Sequence, residues 1–119
     1  MSQLATLRVE AAPAGLVAYL AGEIDASNAY ALLDRLAVEA AVDGTALVLE
    51  LSEVTYLDSA GVRLVYDLAA AAHRRNAAFR VVCPQGPIRG VLELAGVGRT
   101  LGLDDSLGQA LAALDGSGA

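Results

Sequence analysis

Lysine and tryptophan are absent from the 119 residues, and cysteine and histidine occur once each. A single cysteine, Cys83, excludes an intrachain disulfide and fits a reducing compartment. One cysteine and one histidine leave no credible zinc set. All 8 basic residues are arginine, and the formal charge is −6. Only Arg74 and Arg75 are adjacent. Nucleic-acid binding needs clustered cations that displace counterions from phosphates, so this balance argues against DNA or RNA. Apolar runs are short and broken by charge, far below the ~20 residues of a membrane helix. Met1 to Leu4 lack the basic start and long apolar run of a signal peptide. The expectation is a soluble cytoplasmic protein with no membrane partner.

Aromatic residues make up only 4% of the chain, whereas hydrophobic residues make up 55%. The core is therefore aliphatic, built from Leu, Val and Ala, and the length suits one domain. Leu4 to Ala11 and Leu16 to Ala21 are short apolar runs around a Pro13-Ala14-Gly15 break, which predicts a β-hairpin. From Ser27 to Val42 the period changes. Leu32, Leu33, Leu36, Ala37 and Ala40 share one helical face, with Asp25 or Ser27 as N-cap and Asp43-Gly44 as the stop. Ala46 to Leu51 is almost continuously apolar, as in strands covered on both faces. Gly61 to Asn76 is helical, with Val62, Val65, Leu68, Ala69 and Ala72 inward. Phe79 to Cys83 reads as a buried strand stopped by Pro84. Ile88 to Ala95 forms a third helix, with Ile88, Val91, Leu92 and Ala95 on one side, ended by Gly96 and Gly98. Leu101 to Leu103 is a short strand. Asp104 to Leu114 is a fourth helix with Leu107, Leu111 and Leu114 inward. The order ββαβαβαβα predicts an α/β fold with a mixed or largely parallel sheet.

Sites in open α/β folds collect at the carboxyl ends of strands. Ser52 to Gly61 carries polar groups from a strand end to a helix start. Asp58 and Ser59 stand where N-cap residues stand, so Asp58 as a cap accounts for the pattern by itself. The functional reading adds an exposed Ser59 hydroxyl at a helix N-terminus. A phosphate there meets backbone N–H groups and the positive end of the helix dipole, so the fold tolerates it. It also adds about −1.5 to −2 charges beside Asp58, which a partner fitted to the neutral hydroxyl would reject. Tyr56 and Leu57 either present an apolar partner surface or belong to the core of the loop.

Leu57-Asp58-Ser59-Ala60-Gly61 resembles the Asp-Ser-Ser-Gly or Asp-Ser-Thr-Gly hallmark of STAS-domain anti-sigma factor antagonists. Leu20-Ala21-Gly22-Glu23-Ile24-Asp25 is similar to that family's Gly-Glu-hydrophobic-Asp signature. Phe79 to Cys83, then Ile88 to Val97, resemble its late strand and helix. The resemblance spans nearly the whole chain, in order. It implies a STAS fold over residues 1–115: a four- to five-stranded mixed sheet with about four crossover or flanking helices, and a disordered tail at 116–119. It implies a non-enzymatic switch without cofactor or metal. The unphosphorylated form binds a serine-kinase anti-sigma factor and frees the sigma factor. Phosphorylation at Ser59 ends the complex, and a metal-dependent serine phosphatase acts transiently to reset it. Asp25 and Asp58 flank the acceptor and contact the kinase. Glu23, Tyr56, Ala60 and Gly61 complete the expected partner-binding set, on a monomer or weak dimer. Ala60 stands where many relatives carry Ser or Thr, which leaves Ser59 the only hydroxyl of the motif.

A different class of reading is a STAS subunit of a transporter or stress-signalling assembly, acting as a structural interaction module. The intact Asp-Ser pair favours the switch. A hydrolase is disfavoured. Ser59 lacks the Gly-x-Ser-x-Gly elbow, and His73 lies about four helical turns, ~20 Å, away along one helix. His73 is expected to be an exposed helix residue and Cys83 a small buried hydrophobe. Gly96-Val97-Gly98 follows a helix rather than a strand, so the dinucleotide fingerprint fails, and a Gly-Lys-Ser/Thr phosphate loop is absent.

Overall fold

The computed structural model of the chain describes residues 5–40 and 44–115. The expected stop at Asp43, the last helical residue Val42, the strand start at Leu4 and the tail at 116–119 lie outside the described residues. The hairpin is formed by β1 (Ala5–Ala12) and β2 (Gly15–Ile24), paired antiparallel around Pro13 and Ala14. Then follow α1 (Ala29–Glu39), β3 (Ala46–Leu57), α2 (Ser59–Arg74), β4 (Phe79–Val82), α3 (Pro87–Leu94), α4 (Val97–Thr100), β5 (Leu103–Asp104) and α5 (Leu107–Leu114). The five strands lie in the order β1-β2-β3-β4-β5, and every pair after the hairpin is parallel.

This order has a consequence for the layers. Right-handed crossovers that all step in one direction place all their helices on one face of the sheet. The main core accordingly lies on that face. Leu20 of β2 and Leu47, Leu49 and Leu51 of β3 meet Leu36 of α1, Leu64, Val65 and Leu68 of α2, and Leu92 of α3. After β5 the chain crosses to the other face. There α5 covers Val17, Val48 and Val82 with Ala110, flanked by Leu107, Leu111 and Leu114. The continuous apolar run at Ala46 to Leu51 is thus covered on both faces, as a parallel central strand requires.

Several boundaries differ from those the residue pattern predicts. β3 continues to Leu57, through the polar Ser52, Glu53 and Thr55. Beyond Glu50 it has lost β4 as a neighbour but keeps pairing with β2, so one side of its ladder is still satisfied. The ladder is irregular there, with register shifts between Tyr19 and Ala21 and between Gly22 and Glu23, and Gly22 takes φ +93°. A left-handed backbone angle at a bulge is a glycine conformation. Asp104 belongs to β5, and the last helix starts later, at Leu107, where Ser106 Oγ accepts the Gln109 N–H at 3.2 Å. Gly96 ends α3 but also starts α4, a single turn where the glycines by themselves suggest only a loop. Ala37 and Ala95 point outward, because each lies past the edge of its helix's buried stripe. Val62 and Ala69 are half-buried, while Leu64 takes the inner place.

The far edge of the sheet is held by charge. Arg80 donates from Nε and Nη2 to the two carboxylate oxygens of Asp104 at 2.8 and 2.9 Å, and this bidentate bond raises the guanidinium's pKa. Arg89 donates to the Cys83 carbonyl at 2.8 Å and also pairs with Asp105, tying α3 to the turn before α5.

Candidate functional site

The polar segments singled out in the sequence converge at the carboxyl end of β2 and β3. Parallel pairing sets Glu23 beside Tyr56 and Ile24 beside Leu57. The Asp58 N–H then donates to the Ile24 carbonyl at 3.4 Å, so the peptides leading into Asp25 and Asp58 lie side by side. Two stretches more than thirty positions apart in sequence thus present their aspartates together.

Asp58 is the N-cap of α2. Its Oδ1 accepts the N–H groups of Ala60 at 2.9 Å and Gly61 at 3.1 Å. Both bonds go to one oxygen, so the same carboxylate can cap the helix and offer its second oxygen to a partner. Capping and partner contact are therefore not alternatives here. Ser59 is the first residue of α2 and is exposed. The two cap bonds change what a phosphate on Ser59 would find. Of the free backbone N–H groups expected at this helix end, those of Ala60 and Gly61 are already taken by Asp58.

Asp25 is not the cap of α1, and neither is Ser27. Asn28 holds the N-cap position, without a side-chain cap bond. Asp25 instead builds the turn that leads into the helix. Its Oδ1 accepts the Ser27 N–H at 2.9 Å and the Ser27 hydroxyl at 2.5 Å, and its carbonyl accepts the N–H groups of Asn28 and Ala29. Asn28 is the residue that sequence reasoning missed. Its side-chain amide is buried; Nδ2 donates to the Glu23 carbonyl at 2.9 Å, and Oδ1 accepts the Asp25 N–H at 3.1 Å. It clamps the end of β2 to the Asp25 turn. The signal for it is Asn three residues after Asp at a helix start, a local side-chain-to-backbone pattern.

The two alternatives for Tyr56 and Leu57 resolve residue by residue. Tyr56 is 49% exposed, whereas Leu57 is buried. Glu23 is exposed and Ala60 half-buried. Gly61 is buried, and a Cβ there would lie 2.3 Å from Leu57 Cδ1 and 3.3 Å from Ile24 Cγ2. The first turn of α2 sits so close to the strand ends that position 61 has no room for a side chain.

A groove of about 230 Å³ runs beside Ser59, between α1 and α2. Its walls are Ala26, Ala29, Tyr30, Leu33, Ala60 and Leu64, and Tyr30 is 79% exposed. Arg63 and Asp67 stand along it, with Arg63 Nε 3.7 Å from Asp67 Oδ2. His73 is exposed, at the far end of α2 from Ser59. Cys83 is a buried thiol whose pKa burial pushes up, the opposite of the exposed, low-pKa setting that activates a cysteine. Among the described residues no group of three or more His, Cys, Asp or Glu could hold a metal, and no helix is long and apolar enough to cross a membrane.

Fold and site together define a small α/β domain with an exposed hydroxyl next to the capping Asp58, the Asp25 turn joined to it through the backbone, and an apolar groove alongside. The STAS domain family model matches residues 6–110, and the chain belongs to that family. An anti-sigma factor antagonist from Mycobacterium paratuberculosis superposes with a TM-score of 0.80 at 32% identity, over 93% of this chain and 94% of that one. Two further solved structures share the fold at 18% identity. A Thermotoga maritima protein does so with a TM-score of 0.77, over 92% of this chain and 94% of its own. The anti-sigma factor antagonist SpoIIAA in its unphosphorylated form does so with a TM-score of 0.74, over 93% and 97%. No curated protein sequence matches the chain.

Proposed function

We propose that this chain is an anti-sigma factor antagonist whose unphosphorylated surface around Ser59 binds a serine-kinase anti-sigma factor and so frees the sigma factor. One observation carries the reading: Ser59 is exposed at the first position of α2, beside an aspartate held by the helix it caps and a second aspartate held by its own turn. The chain's single histidine, His73, stands at the far end of α2 from Ser59, so no His-activated serine pair forms there. In this reading the exposed Ser59 hydroxyl is the acceptor in another protein's reaction. The kinase transfers the γ-phosphoryl of ATP; the Ser59 Oγ–P bond forms, the bond from Pγ to the β-phosphate oxygen breaks, and the hydroxyl proton and ADP leave. The relative at 32% identity bears the name of an anti-sigma factor antagonist, which agrees with this assignment.

The surface offered to the kinase comprises Glu23, Asp25, Tyr56, Asp58 and Ala60, with the α1–α2 groove alongside. A phosphate on Ser59 adds about −1.5 to −2 charges beside the Asp58 carboxylate, so a partner that accepted the neutral hydroxyl meets bulk and repulsion. A serine phosphatase restores the binding form.

The test is capture from native lysate, with Ser59→Ala as bait and Ser59→Asp as control, read by mass spectrometry of the bound protein and of wild-type Ser59 after ATP addition. Ser59→Ala removes one exposed hydroxyl, and its effect on stability is expected within about 0.5 kcal/mol. The expected result is a small serine kinase retained by the Ala form and weakly or not at all by the Asp form, with phosphate on wild-type Ser59. Transport components held equally by both variants, with Ser59 unmodified, would replace this reading with that of a structural subunit.

A further inference from the structure

We infer that Arg63 receives the phosphate when Ser59 is phosphorylated, and that this exchange leaves Asp67 without its counter-charge along the α1–α2 groove. The inference rests on the reading of Ser59 as the phosphoacceptor and assigns the switch a second moving part within the chain.

Ser59, Arg63 and Asp67 stand four residues apart on α2 and so share one face of the helix. Residues four apart on a helix are neighbours, so the Arg63 side chain, now turned toward Asp67, also has the turn that carries Ser59 within reach. Its present partner holds it weakly. The 3.7 Å separation from Asp67 is too long for a hydrogen bond, and the Arg63 side chain is 81% exposed. Arg80 and Arg89, by contrast, are committed to hydrogen bonds of 2.8 Å and are largely covered.

Two of the backbone donors at this helix end are already engaged. The helix-end N–H groups of Ala60 and Gly61 are taken by Asp58, and the Asp58 carboxylate repels a second anion. Moving back along the helix face toward Arg63 relieves that repulsion. There the guanidinium can meet phosphate oxygens in a charge-assisted pair stronger than its contact with Asp67. The electrostatic outcome exceeds the added phosphate. Before modification the groove carries a near-neutral Arg63–Asp67 pair. Afterwards Arg63 faces the phosphate, and Asp67 is an unpaired carboxylate beside the apolar wall of Tyr30, Leu33 and Leu64. A partner seated in the groove meets new negative charge at two points one helical turn or more apart.

The experiment installs phosphoserine at position 59 during translation, in the full chain, with no kinase present. ³¹P spectra give the second pKa of the phosphate, and ¹⁵N spectra of arginine follow the Arg63 Nε–H. Arg63→Gln is expected to raise that pKa by about half a unit, roughly threefold in proton affinity, as an exposed pair at this spacing implies. The Arg63 Nε–H is expected to be protected from solvent exchange in the phosphorylated chain and unprotected in the Ser59 form. A long-range field alone would not change that protection. An unchanged titration in Arg63→Gln, or an Nε–H that exchanges equally fast in both forms, would overturn the inference. Absence of phosphotransfer to Ser59 in the capture experiment would instead sink the switch itself, and the two failures are read on different samples.

Discussion

Asp58 concentrates two roles in one carboxylate. It satisfies two N–H groups at the start of α2 and sets the charge beside Ser59. Asp58→Ala is expected to cost about 1 kcal/mol of stability through the lost cap, read in urea unfolding. Asp58→Asn keeps the capping oxygen and removes the charge. Its stability should fall by only a few tenths of that amount, within the spread of good N-cap residues. Comparing the two variants in kinase binding separates the cap from the charge. Loss of affinity in both would assign the contact to the carboxylate; loss in Ala alone would assign it to the helix end. Asn28 works by a different route. Its buried amide fixes the Asp25 turn through bonds to the Asp25 N–H and the Glu23 carbonyl.

At the scale of elements, α2 is placed by how closely its first turn meets the ends of β2 and β3. A glycine inside a helix ordinarily costs about 0.5–1 kcal/mol relative to alanine. At Gly61 that preference is outweighed, because a Cβ would come within 2.3 Å of the buried Leu57 side chain. Overpacking a core costs about 1–3 kcal/mol, so Gly61→Ala is expected to destabilise by about 1 kcal/mol net. The second change Leu57→Val shortens the obstructing side chain and should make the two substitutions less costly together than the sum of each alone. Additive costs in that double-mutant cycle would show that α2 is positioned by something other than this contact.

The whole molecule separates the site from one of its two cores. The Ser59 surface and the α1–α2 groove belong to the face covered by α1 to α4, while α5 closes the opposite face. The link to α5 is slender: β5 has two residues, held by backbone bonds from the Val81 and Cys83 N–H groups and by the Arg80–Asp104 pair. Asp104→Ala removes hydrogen bonds to a charged, largely covered group, worth about 1.5–3 kcal/mol. Amides of residues 103–114 are then expected to exchange about 10- to 100-fold faster, if they open locally without the rest. Hydrogen exchange should leave α2 near Ser59 protected and partner binding unchanged. Uniform loss of protection would mean that the two faces unfold as one unit.

Much of this protein is legible in its residues alone. Apolar periodicity marks the hairpin, the covered central strand and the helices, because a buried stripe must repeat with its element's geometry. The Asp-Ser and Gly-Glu-Ile-Asp segments mark the candidate site, and the structure brings their ends together at the ends of β2 and β3. What the sequence leaves undecided depends on distant neighbours. β3 runs through Ser52 to Leu57 because β2 goes on pairing with it, a fact of tertiary contact that no local polarity shows. Tyr56 and Leu57 look alike in a string; the pleat turns one to solvent and the other under α2. Asp25 and Ser27 read as caps, but in the folded chain they bond each other in the turn, and the helix starts one residue later behind Asn28, whose amide is drawn to the Glu23 carbonyl of β2. The α1–α2 groove, and the place of the Ser59–Arg63–Asp67 row beside it, exist only once two helices lie side by side. The local code chose the elements, whereas packing chose which of their polar groups remain free to meet a partner.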